Sequence, residues 1–215
     1  MDPITEGFRE HYRGRFLEHG ATPKGVDWGP HQADLDARYR NMLAVISPED
    51  RAATEPVSLL DVGCGYGGLL AYAKAQGLAL TYTGIDAVPE TIDYARAAHP
   101  EAKFICGDVL ALEPAARYDY VVCNGVLTPR YGATIREMDA YAKRLVRKLF
   151  DLAERGAATN FMTTKVNFME DHLYYINPIE MFAFCISELT TKLRIDHAYR
   201  LFEYTIYLYR SGALP

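Results

Sequence analysis

Four side chains set out the chemistry this sequence can do. Asp61, Asp86, Asp108 and Asn124 each close an apolar run that reads as a strand, and their spacing puts them at the carboxyl ends of successive strands. That edge is where open α/β sheets bind ligands. After the first run, Leu59-Leu60-Asp61-Val62-Gly63-Cys64-Gly65-Tyr66-Gly67-Gly68 places glycines at alternate positions, which frees the backbone to take positive φ and come close to a guest. Asp61 adds a carboxylate beside a loop of the kind that would otherwise suit a phosphate, so a cationic or amine-bearing guest is favoured over a diphosphate. In Gly84-Ile85-Asp86-Ala87 the acid can accept two hydrogen bonds at once, which suits a vicinal diol.

The glycines also satisfy the dinucleotide fingerprint through Gly63, Gly65 and Gly68, with Asp86 at roughly the 20-residue distance of a ribose-binding acid. A nicotinamide-dependent oxidoreductase is therefore one alternative. The fuller pattern Asp61-x-Gly63-x-Gly65-x-Gly67, followed in order by Asp86, Gly107-Asp108-Val109 and Asn124-Gly125-Val126-Leu127, resembles class I S-adenosylmethionine-dependent methyltransferases. The resemblance implies a role for each motif. Asp61, Gly63, Cys64 and Gly65 would seat the methionine end of the cofactor, Asp86 and Ala87 the ribose, and Asp108 and Val109 the adenine. Asn124 and Gly125 would flank the sulfonium, and Arg38 would pair with the cofactor carboxylate unless it simply faces solvent.

The fourth motif departs from the Asp/Asn-Pro-Pro-Tyr/Phe signature that marks amino-group methylation of bases or glutamine. The family resemblance therefore implies a small-molecule acceptor. Trp28-Gly29-Pro30-His31-Gln32, Tyr174 to Pro178 and Tyr207 to Arg210 further resemble a bacterial group of class I methyltransferases. A non-catalytic S-adenosylmethionine-binding partner protein carries the same cofactor motifs and stands as the second alternative.

Methyl transfer from a sulfonium is an in-line displacement, so the chain must mainly exclude water and hold the acceptor at attack distance. Where the acceptor loses a proton, one base within reach helps. The segment Thr163 to Pro178 follows the fifth expected strand and mixes aromatics with Glu170, Asp171 and His172. His172 is the candidate base, with a histidine in a polar surface loop as the plainer reading. Tyr131, Tyr174 and Tyr175 are candidates to line the acceptor pocket. Tyr12 and Trp28 border a Gly/Pro-rich break, where an aromatic can cover a ligand.

These residues need a scaffold, and the hydrophobic pattern supplies one. Strands are expected at Val57 to Val62, Leu80 to Ile85, Ala102 to Cys106, Tyr118 to Asn124 and Ala157 to Met162, alternating with helices at Gly68 to Gln76, Pro89 to Ala98 and Ala133 to Arg155. Such alternation implies a parallel sheet. Thr191 to His197 and Phe202 to Tyr209 read as a terminal hairpin, a further resemblance to the methyltransferase fold. The expected fold is Rossmann-like α/β with a mostly parallel seven-stranded sheet, a C-terminal antiparallel hairpin and an N-terminal helical cap over residues 1–48, the methyltransferase domain taking 49–215.

Composition narrows the partners. Net charge is −5, from 23 basic and 28 acidic side chains, which disfavours a protein built to grip nucleic acid. Lys143, Arg144, Arg147 and Lys148 alternate with Leu145, Val146 and Leu149, the pattern of a solvated helix face. Four cysteines without CxxC spacing read as buried thiols, with no metal site. No stretch reaches the length of a membrane span and the start lacks a leader pattern, so a cytoplasmic location is expected.

Overall fold

The computed structural model describes residues 1–113 and 117–210; the carboxyl-terminal residues 211–215 of the expected domain 49–215 lie outside them. Its strands are β1 (Val57–Val62), β2 (Leu80–Asp86), β3 (Lys103–Cys106), β4 (Tyr118–Cys123), β5 (Ala153–Thr163), β6 (Tyr175–Ile176), β7 (Leu193–Asp196) and β8 (Glu203–Tyr209). They form a central sheet in the order β3-β2-β1-β4-β5-β8-β7. The first five are parallel, and β8 runs antiparallel to both β5 and β7. This is the mostly parallel seven-strand path with an antiparallel ending that the sequence implies. The two-residue β6, an eighth strand paired with the end of β5, carries too little pattern to be foreseen.

The strand order reverses at β1, because the chain proceeds from β1 outward to β2 and β3 and then returns to β4 on the other side. Loops on either side of such a reversal part and leave a crevice at the carboxyl ends of the strands. Here the loop after β1 (Gly63 to Gly67) faces the loop after β4 (Asn124 to Leu127), with Val126 lying against Gly63.

Three helices precede the sheet, α1 (Pro3–His19), α2 (Gln32–Leu43) and the short α3 (Pro48–Ala52). Helices α4 (Gly68–Ala75), α5 (Pro89–Ala98), α6 (Ile135–Leu152) and α7 (Pro178–Glu188) follow its strands. On α6 the stripe Met138, Tyr141, Ala142, Leu145, Val146 and Leu149 is buried while Lys143, Arg144 and Arg147 are exposed, as the sequence pattern requires. Thr134 and Glu137 close a reciprocal capping box at its start. Thr134→Ala should cost about 1 kcal/mol and lower the melting temperature by roughly 2–4 °C; an unchanged thermal transition would deny the box any share in stability. The sequence pattern carries this helix on to Arg155, but β5 begins at Ala153 with no intervening loop. Pairing of Ala153 with Tyr118, and the Arg155 guanidinium held 3.0 Å from Asp119 Oδ1, override the helical pattern.

The N-terminal region has two different jobs. Helix α2 sends Leu35, Tyr39 and Met42 into the same buried layer as Leu59, Tyr120 and Tyr207, so it is a wall of the sheet's own core. Helix α1 and the 3₁₀ turn Pro23–Val26 lie over the strand ends instead. Phe8 packs edge-on to Tyr141 with ring centres 6.0 Å apart, and Arg13 Nε donates to Glu90 at 2.6 Å, so α1 spans from α6 to α5. Among the described residues no helix is long and apolar enough to cross a membrane.

Candidate functional site

The crevice at the strand reversal encloses about 810 Å³ of empty space with its open mouth included. Gly63, Gly65, Asp86, Ala87, Asp108, Val109, Asn124 and Gly125 all line it, from the loops after four strands, and Tyr12 and Trp28 close it from the N-terminal side. Residues the sequence did not flag complete it, including Thr5, Phe8, Thr91, Tyr141 and Leu145. Apart from the hydroxyls of Thr5, Thr91 and Tyr141, these bring hydrocarbon and ring surface to a site whose polar groups come from the loops.

Asp86 ties the glycine turn to the loop that follows β2. Its Oδ2 accepts the Gly65 N–H at 2.9 Å and its Oδ1 the Val88 N–H at 2.9 Å. Burial pushes its carboxyl upward, and those backbone donors only partly offset the effect. Asp108 caps the following turn through the Leu110 N–H at 3.0 Å, and its second oxygen accepts the N–H of Asp2 at 2.8 Å. The start of α1 is therefore pinned to this acid. Asn124 presents a buried side-chain oxygen that has no hydrogen-bond partner among the described residues. A buried acceptor left in that condition costs free energy until a donor arrives.

Gly63 and Gly125 show why the turns need glycine. Both hold positive φ, 73° and 82°; a Cβ at Gly63 would stand 2.4 Å from Val126 Cγ2, and one at Gly125 would stand 2.1 Å from Trp28 Cζ2. The Trp28 ring thus lies directly on the Gly125 backbone.

A second cavity adjoins the first, with about 1130 Å³ of empty space including its mouth. Tyr12, Val26 and Trp28 line both cavities and form the wall between them. The further lining includes Asp27, Arg38, Tyr131, His172, Phe202 and Glu203. Asp27 is the one non-glycine residue with positive φ (58°) among the described residues. Its Oδ2 accepts the Tyr131 hydroxyl at 2.9 Å and lies 2.9 Å from His11 Nε2, while Tyr131 stacks on His11 at 3.9 Å. Burial alone would raise the Asp27 carboxyl; hydrogen bonds from His11 and Tyr131 and the charges of His11 and Arg15 outweigh it and hold the group below the usual carboxylate range. Burial and the neighbouring Asp27 and Asp86 charges push the Tyr12 phenol up, so it stays neutral.

Several expected site residues are elsewhere. Asp61, 3% exposed, points to the opposite sheet face with Leu59, where the Tyr82 hydroxyl donates to its Oδ2 at 2.6 Å. Alternation along β1 dictates this, since Val62 takes the cleft side. Cys64 is buried in that same layer and lines neither cavity. Arg38 neither faces solvent nor is free for a cofactor carboxylate. Its guanidinium is paired with Glu203 through Nε at 2.9 Å and through Nη2, and it stacks 3.9 Å over Trp28. Tyr174 is core, its hydroxyl donating to Asp139 at 2.7 Å, and Tyr175 packs its own loop down by accepting the Glu170 N–H at 3.1 Å. Neither tyrosine lines either cavity. His172 and Tyr131 line the second cavity, His172 from an exposed position.

Residues 59–149 match the family described as a methyltransferase domain. A Mycobacterium tuberculosis protein named as a putative methyltransferase, Rv1506c, is 32% identical over 165 residues, covering 74% of this chain and 97% of that protein. The chain belongs to the class I S-adenosylmethionine-dependent methyltransferases. Its cofactor is accordingly S-adenosylmethionine, and the oxidoreductase alternative falls away. This methyltransferase is also 37% identical over 107 residues to a trans-aconitate 2-methyltransferase of an Enterobacter species, a match that spans 47% of this chain and 40% of that one. In fold, the methyltransferase is similar to the magnesium protoporphyrin IX methyltransferase of Synechocystis PCC 6803, solved with bound S-adenosylmethionine. The TM-score is 0.67 at 16% identity, with 98% of this chain and 99% of that chain covered.

Proposed function

We propose that this methyltransferase acts on a small-molecule acceptor held in the second cavity, with the cofactor in the first and the methyl group crossing at Tyr12, Val26 and Trp28. The observation that carries the reading is that shared wall: two adjoining cavities meet at three side chains. The acidic net charge agrees with an acceptor that is not a polyphosphate chain.

The cleft suits the cofactor group by group. Asp86 would accept from the ribose hydroxyls. Asp108 and Val109 would meet the adenine, between Phe8 and Leu145. Gly63 and Gly65 would let the methionine end approach the backbone, and the orphaned Asn124 oxygen would take one of its ammonium protons in a hydrogen bond. Asp61 would support the site only from the far face of β1. When bound, the cofactor supplies an electrophilic methyl on a positively charged sulfur. The chain's own contribution is to align the acceptor behind that methyl, keep water out with Trp28 and Tyr12, and remove a proton where the acceptor carries one.

Asp27 and His172 are among the groups on the acceptor wall that can take that proton; Glu203, on the same wall, is engaged by Arg38. Asp27 sits in sequence between Val26 and Trp28, both part of the shared wall, and the His11 imidazole behind it offers an onward path. His172 stands on the exposed rim. We assign the accepting hydrogen bond to the ionised Asp27 carboxylate, oriented by Tyr131, with the His11 imidazole behind it as the group that takes the proton on.

The test is formation of S-adenosylhomocysteine from methyl-labelled cofactor against separate panels of carboxylic acids, amines and phenols. Label moving into one small-molecule panel is expected; label moving only into protein or nucleic acid would reject the reading. On a proton-bearing acceptor, Asp27→Asn should lower kcat by roughly 100-fold or more while leaving S-adenosylhomocysteine affinity intact. A larger loss in His172→Gln than in Asp27→Asn would return the base to the rim.

A further inference from the structure

A closed circuit of contacts runs through the wall between the cavities. Asn160 on β5 and Glu203 on β8 are each 1% exposed. Asn160 Nδ2 donates to Glu203 Oε2 at 2.7 Å, and Asn160 Oδ1 accepts the Gly125 N–H at 2.8 Å. Glu203 is paired with Arg38 on α2. Arg38 lies over the Trp28 ring, and Trp28 rests on Gly125. The path from Gly125 through Asn160, Glu203, Arg38 and Trp28 returns to its starting residue.

The direction of each hydrogen bond follows from the charge on Glu203. An ionised carboxylate can only accept, so it compels the Asn160 amide to turn its NH₂ that way. The amide oxygen is then left facing Gly125, whose N–H needs an acceptor because it is buried. Reversing the amide would set donor against donor at one end and acceptor against acceptor at the other. Glu203 itself tolerates burial only because the Arg38 fork neutralises it. The orientation of the Asn124–Gly125 turn, which lines the cofactor cleft, is thereby decided by a charge pair that lines the other cavity.

We propose that Arg38, Glu203 and Asn160 are positioning residues for methyl transfer, acting as a relay by which the acceptor-side wall sets the cofactor-side turn. This rests on the assignment of the two cavities to cofactor and acceptor. None of the three needs to touch the cofactor. Arg38 and Glu203 both line the acceptor cavity, so a guest there meets the relay at its charged end.

The test uses S-adenosylhomocysteine titrated into the full chain by calorimetry, which needs no acceptor and therefore stands apart from any failure to find one. Arg38→Lys keeps the charge and loses both fork and stacking; it should weaken binding roughly tenfold although residue 38 is absent from the cofactor cleft. Asn160→Asp sets two carboxylates face to face and should weaken binding by a similar factor. Adding Glu203→Gln to Asn160→Asp restores the pattern in mirror form. The amide introduced on β8 donates to the carboxylate introduced on β5, its oxygen still accepts from Arg38, and the β5 carboxylate still accepts from Gly125. The swapped pair should bind more tightly than Asn160→Asp alone, while falling short of wild type because the buried charge has moved away from the Arg38 fork. A fraction of unfolded protein lowers the titration stoichiometry and leaves the dissociation constant alone, so a purely structural role would not produce this recovery. Losses that multiply in the swapped pair, or an Arg38→Lys affinity within about twofold of wild type, would overturn the relay.

Discussion

Asp86→Ala should weaken S-adenosylhomocysteine binding by about 2–4 kcal/mol, the scale of two charge-assisted hydrogen bonds, which is roughly 30- to 700-fold in dissociation constant. The residue does two jobs, so the loss has two sources. Its oxygens already accept the N–H groups of Gly65 and Val88, and alanine would orphan both and loosen the turn. The ribose contact is isolated by comparing a cofactor product that lacks the 2′-hydroxyl. That analogue should bind more weakly than the parent to wild-type protein and equally well to Asp86→Ala. Equal penalties in both proteins would remove Asp86 from the ribose. The pH dependence has a definite sign. Burial raises this carboxyl, and the diol is held by its ionised form, so affinity should weaken as pH falls through the raised value. The dependence should flatten in Asp86→Asn.

Asp61→Asn should change the pH dependence of stability more than any other single substitution in the sheet. Burial pushes the Asp61 carboxyl up, the Tyr82 hydroxyl pulls it down in part, and the charge of Asp86 adds to the rise, leaving it at about 7. In the unfolded chain the group titrates near the ordinary value of 3.8. Between those limits the folded protein holds a proton that the unfolded chain has lost. The contribution of this group is therefore fully present below the unfolded value and is lost as pH rises toward 7. The gap between the two values corresponds to about 4 kcal/mol. Asparagine keeps an acceptor for Tyr82 and cannot titrate. Relative to wild type, the variant should gain about 4 kcal/mol of unfolding free energy when denaturant melts at about pH 8 are compared with melts at about pH 4. A constant difference between the two proteins across that range would place the Asp61 charge in contact with solvent.

The two acids show what the sequence makes legible and what it hides. Asp86, Asp108 and Asn124 stand at or just past the last residues of β2, β3 and β4, where side chains reach the crevice beyond the strand ends. Asp61 shares the same motif, yet it lies one residue before Val62, and the period of two sends adjacent side chains to opposite faces. Motif spacing marks both residues alike; Asp61 pairs with Gly84 inside the sheet, while Asp86 stands two residues beyond Gly84, at the strand's end, where it meets the crevice. Arg38 is visible as a cation on α2, but its partner Glu203 is distant in sequence and is met only through the closure of the antiparallel ending. A charge at Glu203 and an amide at Asn160, each nearly fully buried in its strand, are the available signals, since a buried polar group must have a partner. Asp27 carries no periodic signal at all, because its place depends on a 3₁₀ turn and a left-handed residue within a Gly/Pro-rich stretch. Tyr174 and Tyr175 mislead the other way: aromatics in a polar loop suggest a pocket, and the loop uses them to anchor itself to α6 and to its own backbone.

Methyl transfer between the two cavities requires a cofactor in the strand-end cleft whose reactive sulfur faces the wall they share. A crystal structure of the complex with S-adenosylhomocysteine tests this most directly. The ribose hydroxyls should lie within hydrogen-bond distance of Asp86, the amino group should meet the Asn124 side-chain oxygen, and the sulfur should face Tyr12 and Trp28. A sulfur directed away from that wall, or a ribose bound apart from Asp86, would contradict it.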